Sequence, residues 1–135
     1  MADANKKIAS LQAQLQSSSI AFQKLEAELA GTIEARQRLD SQLSENELVL
    51  KEFTTLKSHN TVYKLVGPSL VPQDANEAKV NVEKRLEFIR SEIKRVEAQL
   101  KEGQEKAAKK KDEIIGLQQQ FQALQPPSGP QAVQA

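Results

Sequence analysis

The side chains that could do covalent chemistry are few in this sequence and poorly grouped for it. His59 is the only histidine, and cysteine is absent. A general base needs a second group to orient it and a reacting proton within reach, and no such partner stands near His59, which is expected at the surface of a helix-to-strand junction. The close carboxylates Glu26 and Glu28, or Glu45 and Glu47, have the residue types of an acid–base pair. Each pair sits in a stretch rich in both charge signs, the pattern of exposed coiled-coil faces. Gly67 is followed by neither a glycine-rich run nor the Lys-Ser/Thr pair that cradles phosphate. Lys109-Lys110-Lys111 could touch phosphate or an acidic partner, but Glu102, Glu105, Asp112 and Glu113 bracket it, so a solvated face of mixed sign is the better reading. The chemistry expected of this chain is therefore not catalysis: no catalytic residue, no cofactor and no metal ligand set are assigned.

Composition narrows the class further. Nineteen Lys and Arg against eighteen Asp and Glu leave a net charge of +1, which is no electrostatic footprint for nucleic acid or anionic lipid. Without cysteine there is no disulfide framework and no thiol nucleophile. Only 4% of residues are aromatic, none of them Trp, while Gln, Glu, Lys, Ala and Leu dominate as they do in long helices and coiled coils. No N-terminal apolar run precedes a small-residue cleavage site, and no segment approaches the roughly 18 apolar residues of a membrane span. A soluble, unprocessed, intracellular (cytoplasmic) protein is expected, with no membrane and no nucleic acid among its partners.

Heptads supply the elements. Counting in sevens from Ile8 gives Ile8, Leu15, Phe22, Leu29, Arg36, Leu43 and Leu50. Three residues on come Leu11, Ser18, Leu25, Thr32, Leu39, Asn46 and Phe53. This interrupted but sustained seam predicts one helix over 6–56. A second array runs Leu86, Ile93, Leu100, Ala107, Ile114 and Phe121, with Ile89, Val96, Gly103, Lys110, Leu117 and Leu124. Pro72, then Asp74 with Glu77 three residues on, marks the helix start near residue 74 by capping-box spacing. Pro126 and Pro127 end it, so the second helix is expected over 74–124 and the Pro-rich tail over 125–135 is expected to be disordered. Arg36, Asn46 and Lys110 at seam positions either set register or mark loose packing.

Between the arrays, β-branched and aromatic residues replace the Gln, Glu and Lys of the flanks, which predicts a β-hairpin over 60–72, with strands near 61–66 and 69–71, turning at Gly67-Pro68. So short a connection makes the helices antiparallel. Such a hairpin is marginal alone, and this one has apolar groups on both faces: Val62 and Val66 on one, Tyr63 and Leu65 on the other. Leu48, Val49 and Phe88 are apolar outside the seam as well, and are expected to pack on other subunits. Closing several hairpins into one sheet would remove the exposed edges. The fold class expected is mainly α: a long antiparallel two-helix coiled coil with a β-hairpin at its bend, the hairpins assembling into an oligomeric β-barrel. At the far end Ile8, Leu11, Leu15, Ile114, Leu117, Phe121 and Leu124 meet without a covering loop. Ser17-Ser18-Ser19 falls at about the height of Lys109-Lys110-Lys111, so opening there is expected to cost little. The tip then either offers apolar surface to a non-native chain or simply frays.

Val62-Tyr63-Lys64-Leu65-Val66-Gly67-Pro68, Leu70-Val71 and Asn81 through Ile89 (Asn-Val-Glu-Lys-Arg-Leu-Glu-Phe-Ile) resemble the β-class subunits of prefoldin, and Gly67-Pro68 is similar to the eukaryotic ones. The resemblance implies one prefoldin-like domain over 1–124. It also implies a heterohexamer of two α-class and four β-class subunits whose hairpins form a double β-barrel. Carried over by position, Val62, Tyr63, Leu65, Val66, Leu70 and Val71 would make the assembly contacts, and the tip residues named above would meet the client. The implied activity is that of an ATP-independent holdase that captures unfolded actin and tubulin and delivers them to the cytosolic group II chaperonin. A coiled-coil adaptor or scaffold is the alternative, although it has no need of so apolar a hairpin. A nucleic-acid-gripping helical arm should show the basic face that is missing.

Overall fold

No proline interrupts the sequence before Pro68, and in the computed structural model the N-terminal part of the chain stays helical throughout. The structure describes residues 2–125. Helix α1 runs Ala2–Thr55, strand β1 Val62–Val66, strand β2 Ser69–Gln73 and helix α2 Ala75–Leu124. The fold is mainly α, two long antiparallel helices joined by a two-stranded hairpin. The tail expected to be disordered lies, apart from Gln125, outside the described residues.

Helix α1 starts at Ala2, four residues before the expected start at residue 6 and six before the first heptad position, Ile8. Ala2 and Ala4 are strong helix formers and Asp3 sits in the first turn, where a carboxylate opposes the helix dipole; none of this leaves an apolar period to read. At the other end the Thr54 and Thr55 hydroxyls donate to the carbonyls of Lys51 and Glu52 at 2.6 and 2.8 Å. A reciprocal turn follows, with the Lys57 amide donating to Asn60 Oδ1 at 2.7 Å and the Asn60 amide to the Lys57 carbonyl at 3.0 Å. His59 lies exposed in that turn, on the surface as its position in sequence suggested.

Gly67, at φ 59°, is the first central residue of the two-residue turn, the place where a hairpin of this hand needs a residue free to take positive φ. Val66 then pairs with Ser69, Leu65 with Leu70, Lys64 with Val71, Tyr63 with Pro72 and Val62 with Gln73. Strand β2 therefore outlasts the sequence expectation and takes in Pro72, read above as helix punctuation. Pairs alternate between bonded and non-bonded from the Val66/Ser69 pair that the turn closes. Pro72 falls at a non-bonded pair, so its missing N–H costs the ladder nothing. Asp74 caps α2: its Oδ2 accepts from the Glu77 amide at 3.0 Å, and its carbonyl accepts from the Ala78 amide at 3.0 Å.

The described residues divide into two compact units, Thr32–Leu100 and the flanking segments 2–31 with 101–125. Within Thr32–Leu100 the seam is closed by Leu86, at 1% exposure, together with Ile89, Ile93, Val96 and Ala78. Arg36 reaches across to Glu97 at 2.8 Å while also pairing with Asp40 on its own helix, and Arg90 reaches Glu47 at 3.5 Å. Arg36 thus pairs across the seam, whereas Asn46 turns back to donate to the Gln42 carbonyl at 2.7 Å. In the other unit only Leu11 and Ser18 are buried among the described residues. There Leu29 Cδ1 lies 3.1 Å from where a Cβ on Gly103 would stand, so glycine at that seam position admits the leucine.

Candidate functional site

Two surfaces stand out, one on the hairpin and one at the helix ends. Cross-strand partners share a face of a hairpin, so the pairing places Tyr63, Leu65, Leu70 and Pro72 together on one side. That side is wholly apolar and open: Leu65 is 69% and Leu70 66% exposed. The opposite side carries Val62, Val66 and Val71 with Lys64, Ser69 and Gln73. Its Val62/Gln73 end is half-buried and borders a cleft of about 320 Å³ with Val49, Phe53, Ala78 and Val82, while Val66 and Val71 remain exposed. All six residues expected to make assembly contacts lie in the strands. Pro72 was missed as a member of the apolar face, although counting back from the Gly67-Pro68 turn would have placed it there. Burying a leucine or valine of this kind is worth roughly 1.5–3 kcal/mol. A lone hairpin leaves that stabilisation unused.

The helical flanks extend this surface. Leu48 and Phe88, at 65% and 63% exposure, and Val49 lie open as expected. Val80 and Leu56 do as well, and they were not singled out. Val80 and Phe88 are eight residues apart on α2, hence on one stripe.

At the helix ends, Leu11 is buried, Ile8, Leu15, Ile114, Leu117 and Phe121 are half-buried, and Leu124 is exposed. Leu124 is therefore open surface rather than seam, because α2 ends at it. Leu11, Ala123 and Leu124 border an open groove of about 510 Å³ with Ser10, Gln14 and Gln120. A second cleft of about 600 Å³ brings Ser17, Ser18, Lys110, Glu113 and Leu117 together. Within it the Ser18 hydroxyl lies 3.5 Å from Glu113 Oε1, and Lys110 Nζ lies 3.0 Å from Glu113 Oε2. The serine and lysine runs do meet, and Lys110 is turned inward while Lys109 and Lys111 stay solvated. Ile20 and Ile115, exposed beside this layer, fall off the heptad and were missed for that reason.

Neither surface holds a reactive constellation. Among the described residues no group of three or more His, Cys, Asp or Glu could hold a metal ion, and no helix is long and apolar enough to cross a membrane. The displaced proton equilibria belong to ion pairs elsewhere. Arg36 is held further toward its charged form by the hydrogen bond to Asp40, which burial opposes and Glu97 supports. Arg95 holds the Glu92 carboxyl below the usual carboxylate range, and Glu92 raises Arg95 in return.

Comparison with known proteins fits this geometry. The family described as "Prefoldin subunit" matches residues 16–121. The chain is 38% identical to Prefoldin subunit 6 of Mus musculus over 120 residues, covering 89% of this chain and 94% of that protein. It is 46% identical to Prefoldin subunit 6 of Saccharomyces cerevisiae over 96 residues, covering 71% and 84%. Among solved structures, the prefoldin beta subunit of Thermococcus strain KS-1 superposes with a TM-score of 0.70 at 24% identity over 84% of this chain and 95% of that one, a likeness of fold. The beta2 subunit from the same strain gives 0.58 at 26% identity, covering 67% and 97%.

Proposed function

The chain belongs to the prefoldin subunit family, non-enzymatic chaperones, and on that premise we propose that it is one subunit of a heterohexameric, ATP-independent holdase of the cytosol. The observation that carries this is the uncovered hairpin face of Tyr63, Leu65, Leu70 and Pro72. A chain that kept this face in water would expose a contiguous apolar patch and two strand edges, the features that drive aggregation. Joining the hairpins of α- and β-class subunits into a closed barrel removes both. Val62, Val66 and Val71 then line the other side of the sheet, and Leu48, Val49 and Phe88 lie against neighbouring subunits. Residues 1–124 act as one prefoldin-like domain, with the tip set by Ile8, Leu11, Leu15, Ile114, Leu117, Phe121 and Leu124 receiving unfolded chains. Actin- and tubulin-type clients pass from there to the group II chaperonin.

The native mass of the particle recovered with tagged chain from a cytosolic extract tests the assembly. A heterohexamer of small coiled-coil subunits containing this chain once is expected. A monomer, a homodimer or a single large unrelated partner would overturn it in favour of an adaptor. Replacing Phe121→Ser together with Leu124→Ser should leave that mass intact and weaken suppression of client aggregation. Undiminished suppression would remove the tip from the binding surface of this subunit, although six arms sharing a client will soften the loss.

A further inference from the structure

Each helix carries a long uncharged run near its free end, behind Asp3, Lys6 and Lys7 on α1 and through the last turns of α2. No Asp, Glu, Lys or Arg occurs over residues 8–23 or over 114–125, whereas elsewhere in the two helices no stretch between charged residues is longer than 29–33. Glutamine takes their place: Gln12, Gln14 and Gln16 on α1, and Gln118, Gln120 and Gln122 on α2, are all exposed. Two of them, Gln14 and Gln120, border the groove whose apolar part is Leu11, Ala123 and Leu124, one carboxamide from each helix. Lys7 is the charged exception at that groove, and it is exposed, so its stem can lie along the groove while its ammonium stays in water.

This pattern has a chemical meaning. An extended polypeptide carries one donor and one acceptor on nearly every main-chain unit, and each must be satisfied when the segment leaves water. A carboxamide supplies donor and acceptor together without charge. Lysine only donates, and an ionised carboxylate only accepts. In an extended segment alternate side chains point to opposite sides while the main-chain groups point laterally. One row of client side chains can therefore rest on Leu11 and Leu124 while Gln14 and Gln120 reach its peptide groups. A cationic client residue would lie beside Lys7 there with no carboxylate to meet it.

We propose that the groove bordered by Leu11, Gln14, Gln120 and Leu124 holds an extended, uncharged segment of non-native polypeptide, gripped through its main chain as well as by its apolar side chains. This rests on the holdase function proposed above and specifies the chemical class that this subunit selects. Capture at this tip is accordingly insensitive to salt, because no ion pair contributes to it.

The test uses the full chain assembled with its partner subunits. The probe is a short end-blocked peptide of Ser, Thr, Val and Leu bearing a photoreactive leucine, with cross-linking to this chain alone as the readout. Gln14→Met with Gln120→Met keeps side-chain length and removes both hydrogen-bonding groups from residues already exposed, so folding is preserved. Cross-linking is expected to fall about tenfold in that variant. N-methylation of alternate peptide units should cause a similar fall with the unaltered chain and little further fall with the variant, since both changes remove the same contact. Placing Lys in the peptide should also abolish capture, since Lys7 is the one charged group bordering the groove. Undiminished capture by the methionine variant, or equal capture of the lysine peptide, overturns this recognition and leaves the holdase standing. If the unaltered particle captures no peptide of any kind, the holdase itself falls and this inference with it.

Discussion

Thr32–Leu100 and the unit formed by the flanking segments are built from the same heptads but close them very differently. In the first, Leu86, Ile89, Ile93 and Val96 succeed one another on α2, all buried, and Arg36–Glu97 and Arg90–Glu47 pair across the helices. In the second, the α2 seam runs through Gly103, Ala107 and Lys110 before it regains Ile114, and only Leu11 and Ser18 are buried among the described residues. Heptad period decides where two helices meet, whereas side-chain size decides how firmly. The first unit is thus suited to carry a hairpin that must be presented accurately. The second is suited to open at low cost, since local stability follows buried apolar contact.

The largest effect should come from Leu65→Asp. Leu65 lies in the apolar hairpin face that the first unit carries, and burying an unpaired carboxylate in a closed sheet is prohibitive. Loss of the assembled particle by native mass is expected while far-UV helicity of the chain persists. Unchanged mass would sink the barrel and take from the first unit its reason for being firm. Next is the contrast within the seams themselves. Leu86→Ala should destabilise by about 2–5 kcal/mol, as a fully buried leucine does. Ile114→Ala, half-buried, should cost roughly half that. Urea unfolding followed at 222 nm measures both, and equal losses would mean that the two seams are equally tight.

Most of this contrast was legible in the sequence, since every heptad position named from Ile8 and Leu86 is buried or half-buried except Leu124. Partners across the seam were less so. Arg36 reads as an interruption of the apolar stripe, and its resolution by Glu97 depends on the register at which two distant segments meet, which no local pattern encodes. Pro72 was misassigned because proline usually ends a strand or opens a helix. It stays in β2 because it occupies a pair whose N–H faces away from β1, a fact that follows from the turn rather than from the residue. The apolar tip was visible from composition and spacing. The groove at Gln14 and Gln120 was not, because the polar positions of a heptad say nothing about which side chains border one hollow.

A smaller effect should follow from Ser18→Leu. Ser18 is buried beside Glu113, and a leucine there would restore the seam at the layer where it is polar. Amide hydrogen exchange over residues 8–17 and 114–121 is expected to slow several-fold. Unaltered exchange would show that the flanking unit owes its looseness to Gly103 and Ala107 instead of to this layer. Because capture at the tip needs the apolar side chains accessible, the same variant should also capture client less well.

The smallest effect belongs to Glu92→Gln in the firmer unit. Arg95 Nη2 lies 2.7 Å from Glu92 Oε2, and its hydrogen bond holds that carboxyl below the ordinary carboxylate range. A carboxyl whose folded pKa is depressed contributes stability that is fully present above its unfolded pKa, near 4.3. That contribution is lost as pH falls through the lower folded value. The stability of the unaltered chain should therefore exceed that of Glu92→Gln at neutral pH, and the two should converge once pH drops below the carboxylate range. Thermal melts at neutral pH and near pH 3 give the comparison. Both partners sit on α2 three residues apart and reach water, so the difference should be near the limit of measurement. A gap between the chains that widens on acidification would reverse the sign and mean that Glu92 is stabilised in its protonated form. A large gap at neutral pH would mean that this pair stabilises α2 far more than a solvent-reaching ion pair does.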